Sequence, residues 1–297
     1  MTPKRCLWCA IAFFVALGAC VPPEPEDDLI RDFDPETTVM GAIQEAGLLK
    51  VGVAPNPALY REESGEPEGL AATLALEVAA RLGVEADFTV ASNEALIEEI
   101  REGSSYHLAF PTTPVVEPLV RTAGVSDPYL IAHQRILVAE GSDITGVEDL
   151  GGEVCAVGDS ETLASLNELN PSVTVTQTEP CYGPDVLDEG ALSLPPMTGL
   201  DVDLVGTAYT VLDLCPPEAQ CPPPRIVGDE LSTAGISMFV EKGASGWLGF
   251  VDNVLGEFKS EGHWLASYNE SLESYLGRQR APEITVEEAA ALYPREL

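Results

Sequence analysis

The sequence predicts an α/β protein built around a parallel sheet. Two observations lead there. Short runs rich in β-branched residues alternate with longer segments that carry apolar stripes at helical spacing. The connections between them are short, and glycines or capping residues mark where the helices start and stop.

The elements follow in order. Thr37 to Ala46 reads as a short amphipathic helix leading into a strand, Leu48-Leu49-Lys50-Val51-Gly52-Val53. A Pro/Asn turn, Pro55-Asn56-Pro57, precedes Tyr60 and an acidic loop, Glu62 to Glu66. Glu68-Gly69 opens a helix whose stripe is Leu70, Leu74, Val78 and Leu82, with Gly83 as its stop. Val84 to Val90 is a strand. Ser92 or Asn93 caps a helix that buries Leu96, Ile97 and Ile100, and Tyr106 to Phe110 is a buried strand entering a Pro/Thr loop. Further on, Val154 to Val157, Val173 to Thr178 and Asp203 to Thr207 read as strands, the last of them buried. Trp247, Phe250, Val251, Val254, Leu255 and Phe258 form a helical stripe, and Thr285 with Glu288 makes a capping box for a final helix. There is no internal repeat.

With 297 residues, 45% of them hydrophobic, the chain has enough apolar surface for two modest lobes or one large domain. Its 49 acidic residues against 15 basic ones give a formal net charge of -34. That excludes ordinary nucleic-acid binding, which needs Lys and Arg to displace counterions, and argues against docking on anionic lipid through the protein surface. The charge reads first as a well-solvated surface and second as a bias toward cationic or zwitterionic ligands.

The N-terminus reads as a targeting device, a signal peptide over residues 1–19. Lys4 and Arg5 precede an apolar run from Cys6 to Ala19, short of the roughly 20 residues that a membrane-spanning helix needs. The run ends in Leu17-Gly18-Ala19-Cys20, which resembles a bacterial lipobox with Cys20 as the lipidated residue; the other reading is a plain secretion signal. Residues 20–36, with Pro22-Pro23-Glu24-Pro25-Glu26-Asp27-Asp28, suit a tether with little to bury. Of seven cysteines, Cys6 and Cys9 leave with the leader and Cys20 carries lipid, so four remain in an exported chain. Cys215 and Cys221 close a short Pro-rich loop and pair on that ground, and Cys155 pairs with Cys181 by elimination. No Cys-x-x-Cys follows the leader, so no metal and no cofactor is expected.

The opening strand and turn at Leu48 to Tyr60, Gly69 and Leu82-Gly83-Val84 resemble the start of the bacterial extracytoplasmic solute-binding proteins of family 3, the polar-amino-acid type. So do Ser126-Asp127-Pro128-Tyr129 with the run Gln134 to Gly141, the stretch Ile144 to Gly158, Ile236 to Gly243, and Lys259-Ser260-Glu261-Gly262-His263-Trp264. The resemblance covers roughly residues 38 to 275. It implies a two-lobe, periplasmic-binding-protein-like (type II) fold. Each lobe is a mixed, mostly parallel sheet flanked by helices, and two crossing segments join them. Residues 37–133 with 231–297 form lobe 1, and residues 134–230 form lobe 2. It also implies an extracytoplasmic, lipid-anchored monomer that captures a small polar solute, an amino acid or a related and even cationic molecule, by cleft closure. The solute then passes to the membrane permease of an ABC transporter, and the chain is not an enzyme. Two other readings on the same scaffold are a receptor-like scaffold or sensory partner, and a dehydratase-type enzyme.

By the same resemblance the ligand is read by an aromatic after the first strand, by hydroxyls and an Arg of the loop after the third strand, by strand-end hydroxyls of the second lobe, and by an Asp near the return to the hinge that takes an ammonium. The candidate residues here are Tyr60, Thr112, Thr113, Arg121, Asp159, Ser160 and Thr207, with Arg121 the only guanidinium near the loop rather than at the Arg position itself. Residue by residue, Tyr60 also suits packing, Thr112 and Thr113 suit turn capping, Arg121 suits the surface, and Asp159 suits an N-cap or a cationic ligand. Ala58 stands where an aromatic usually follows Pro, Val115-Val116 where Glu-Arg would stand, and no Asp follows Gly206 directly.

Overall fold

A computed structural model describes residues 32–102, 105–157, 166, 170–176, 194–213 and 223–293. The expected leader, Cys20, most of the tether, Asp159, Ser160, Cys181, Cys215 and Cys221 lie outside the described residues.

The first half folds as the sequence spacing predicts, except that the acidic stretch Glu62 to Glu66, expected as a loop, belongs to a β-hairpin. Helix α1 (Val39–Ala46) starts at Thr38, whose hydroxyl accepts a hydrogen bond from the Gly41 amide, and stops at Gly47 in the left-handed region. Strand β1 (Leu48–Val53) leads to a hairpin, β2 (Arg61–Glu63) and β3 (Glu66–Glu68). Gly69 then turns the chain at φ 109°, with Leu59 O so near that a Cβ would sit 2.4 Å from it. Helix α2 (Leu70–Leu82) buries Leu70, Leu74, Val78 and Leu82. Strand β4 (Glu85–Val90), helix α3 (Asn93–Glu102) and strand β5 (Leu108–Phe110) complete the unit, with β1 parallel to both β4 and β5.

Helix α4 (Glu117–Thr122) enters a long strand, β6 (Gly124–Val138), and the Ser-Asp-Pro-Tyr motif lies inside this strand rather than ahead of it. Strands β7 (Glu153–Ala156), β8 (Thr174–Thr176) and β9 (Met197–Leu200) follow. The expected strand over Asp203 to Thr207 is instead the middle of helix α5 (Asp201–Asp213). The stretch that begins at Ile236 is the second half of one long strand, β10 (Arg225–Val240). Helices α6 (Ser245–Ser260), α7 (His263–Ser271), α8 (Glu273–Leu276) and α9 (Val286–Leu292) close the described chain. The capping box of Thr285 and Glu288 forms as predicted.

The strands order β4-β1-β5-β10-β6-β9-β7-β8 in one sheet. The long antiparallel pair β6–β10 sits at its middle and carries the chain out and back, with register shifts between Val227 and Ser232 and again near Ser237. A large apolar cluster packs around β1, β5, α2, α6 and α7. Two smaller ones flank the β7–β9 side, one around Ile136, Val154 and Leu166, the other around Leu137, Met197 and Leu204. The core is therefore divided at the crossing strands. Arg81 fastens α2 to α6: it pairs with Glu77 at 2.7 Å and Glu257 at 2.7 Å, and these carboxylates raise its pKa further.

Candidate functional site at the meeting of the strand ends

Three backbone turns converge where the two halves of the sheet meet. The first follows β1. Asn56 is buried, its Oδ1 accepts from the Ala58 amide at 3.1 Å, and its Nδ2 donates to Val202 O at 2.7 Å. Gly206, one helical turn further along α5, leaves room for it: a Cβ there would lie 3.1 Å from the Asn56 amide. The second turn follows β5. Buried Thr112 is pinned by Asn93, which accepts from the Thr112 amide at 2.8 Å and donates to its hydroxyl at 2.9 Å. The third is the junction of β9 and α5, occupied by Asp201.

Asp201 is 1% exposed. Its Oδ1 accepts both from the Val202 amide at 2.8 Å and from the His133 amide of crossing strand β6 at 3.1 Å. Among the described residues Oδ2 makes no hydrogen bond. Burial pushes the carboxyl up to about 7, against the two amides and the Arg135 guanidinium, which favour the charged form. His133 stands beside it on the crossing strands, with Nδ1 3.2 Å from Thr233 Oγ1 and 3.3 Å from Glu230. Burial lowers the His133 pKa, opposed by Glu230. Gln134 ties the layers together, accepting from Ser232 at 3.1 Å and donating to Thr198 at 3.3 Å. Beneath α5, the fully buried Tyr129 hydroxyl has no hydrogen-bond partner among the described residues, and its pKa is raised, by burial and then by Asp203.

The sequence-predicted residues distribute unevenly around this junction. Thr112 lies in it, held by Asn93, and Thr113 is half-buried beside it. Thr207 is buried, but on α5 rather than at a strand end. Tyr60 stacks on Phe88 at 5.0 Å and donates to Glu62, and burial, with Glu62 after it, raises its pKa to about 12. Arg121 is 72% exposed and pairs with Glu117 one turn away on α4. Cys155 is buried and disulfide-bonded, to a residue outside the described ones.

Asp201 and Asn56 were missed. With residues 203–207 read as the last strand of the second half, the acid expected after it has no counterpart directly beyond Gly206. With the strand at Met197–Leu200, the acid that follows it directly is Asp201. The signal was present in Val202, Val205 and Tyr209, whose spacing is helical, and in Pro195-Pro196 ahead of the true strand.

A separate pocket of about 110 Å³, lined by Lys50, Tyr106, His107, Glu241 and Trp247 among others, sits at the start of β5. It is below the roughly 300 Å³ that small-molecule sites usually have. His107 there is committed to structure: its Nδ1 accepts from the Lys50 amide, and its carbonyl accepts from Trp247. Among the described residues no cluster of His, Cys, Asp and Glu is arranged to hold a metal ion, and no helix is long and apolar enough to cross a membrane.

The profile of the bacterial extracellular solute-binding proteins, family 3, matches residues 49–274. The chain belongs to that family. A mutant of ArgBP from T. maritima is 21% identical, with a TM-score of 0.60, covering 79% of this chain and 99% of that one. An ancestral cationic amino acid solute-binding protein is 20% identical at a TM-score of 0.61, with the same coverage. The cysteine-binding protein from Campylobacter jejuni is 16% identical at 0.61, covering 84% of this chain and 98% of that one. At these identities the solved structures bear on the fold, which is that of the type II periplasmic-binding-protein-like proteins. A comparison with curated proteins gave no match.

Proposed function

We propose that the chain is a lipid-anchored extracytoplasmic receptor that captures a small amine-bearing solute, an amino acid or a related cation, between residues 37–133 with 231–297 on one side and 134–230 on the other. Closure then presents the solute to an ABC-type permease. Binding, not catalysis, is the role.

The observation that carries this reading is Asp201. One of its oxygens is fixed by two backbone amides, while the other has no hydrogen bond among the described residues, at the junction of the two halves. A buried carboxylate costs free energy unless its charge is answered, and a ligand ammonium or guanidinium answers it. Asn56, Thr112 and Thr113 supply neutral donors and acceptors on the facing side; Asp159, Ser160 and Thr207 are proposed for the second. The relatives named above as binding arginine, cationic amino acids or cysteine support an amino-acid class. Tyr60 and Arg121 have less support, because each is already engaged by an acidic neighbour.

The test is thermal unfolding of the chain after Cys20 against L-arginine, L-lysine, L-ornithine, putrescine, L-glutamine and L-cysteine. A ligand at 100 times its Kd adds about 2.7 kcal/mol of stability. Stabilisation by at least one amine supports the reading, and an unchanged midpoint across the panel removes it. Anchoring by Cys20 is tested separately: Cys20→Ala should release the protein from membranes.

A further inference from the structure

We infer that residues 273–293 form a strap that holds α5 against the crossing strands and so biases the two halves toward the closed arrangement. From residue 275 on, this segment lies beyond the family match.

One end of the strap grips the middle of the sheet. The Val286 amide, at the start of α9, donates to Asp127 Oδ1 on β6 at 2.9 Å. Ala289, fully buried, lies over Gly235 of β10 so closely that a Cβ on Gly235 would come within 2.6 Å of it. Asp127 is itself held, its amide donating to Asp252 of α6 at 3.0 Å, and Lys259 of the same helix donates to Pro128 O at 2.8 Å. The other end of the strap reaches α5. The Tyr275 ring lies 5.2 Å from that of Tyr209, the two planes tilted by 48°. The intervening turn is tied down by Tyr268, which donates to Gly277 O at 2.9 Å.

Helix α5 is what makes this contact a latch. Its Leu204 packs into the cluster on the β9 side, while Val202 and Val205 pack into the large cluster of the first half, with Tyr209 against the same cluster. The helix is thus a wedge between two cores. Opening carries α5 away with β9, so the Tyr209–Tyr275 pair and the Asn56–Val202 bond exist only when the halves are together. A contact made in one of two states shifts the population toward that state.

Amide hydrogen exchange without any ligand tests this, comparing the full chain with Tyr275→Ala and with a chain ending at Gly277. Amides of Val205 to Tyr209 in α5 should exchange about tenfold faster in both variants, while those of Leu74 to Val78 in α2 keep their rates. Unchanged α5 exchange overturns the strap. So does an equal acceleration of α5 and α2, which would report general destabilisation. Because no solute enters the readout, the outcome is independent of whether the cleft binds an amine.

Discussion

Asp201 is a carboxyl whose folded pKa, about 7, lies above its ordinary value of 3.8, and burial is the first cause. The sign follows from linkage. Between pH 4 and 7 the folded chain binds more protons here than the unfolded chain, so stability is fullest at low pH and falls as pH rises through 7. At about 1.4 kcal/mol per unit, the loss has an upper bound of about 4 kcal/mol. Ligand-free Asp201→Asn should therefore show a flatter profile than the parent between pH 5 and 8 in urea unfolding. A profile that keeps its full slope would place the titrating group elsewhere. A cationic solute reverses the preference by stabilising the charged carboxylate, so affinity should rise with pH up to about 7 and level off above it.

At the scale of elements, α5 decides how much of the site could be read in advance. Strand β1, helix α2 and the final capping box follow local rules: alternation, an i, i+4 stripe, and a Thr three residues before a Glu. Helix α5 does not. Buried on opposite faces by two cores, it presents a run with three apolar residues in four, Val202-Asp203-Leu204-Val205, that reads equally well as a buried strand. Shifting that strand by a few residues hid the acid that ends it. Asn56 was hidden for another reason: its partner, Val202 O, lies 146 residues away, and no local pattern reports such a contact. The C-terminal elements carry a separate expectation. Lys259 is half-buried, donates to Pro128 O, and sits near Asp127 and Asp252, the latter raised to about 6 mainly by burial. Lys259→Ala should cost about 2 kcal/mol, read by denaturant unfolding, since it leaves the Pro128 carbonyl without its charged donor. A change below about 0.5 kcal/mol would show that solvent replaces that donor.

For the whole molecule, the long strands β6 and β10 both divide the core and join its parts, which is the arrangement a hinge requires. The net charge of -34 adds attraction for cations that salt weakens over roughly 8–10 Å, so it assists encounter more than it selects a ligand. On the proposed function, selection rests with Asp201. The most direct test is calorimetric titration of L-arginine and the other amines into the parent chain and into Asp201→Asn at pH 8. The parent should bind at least one of them, with affinity at least tenfold weaker in the variant. Equal affinity in both chains would contradict an amine read by Asp201 at the meeting of the two halves.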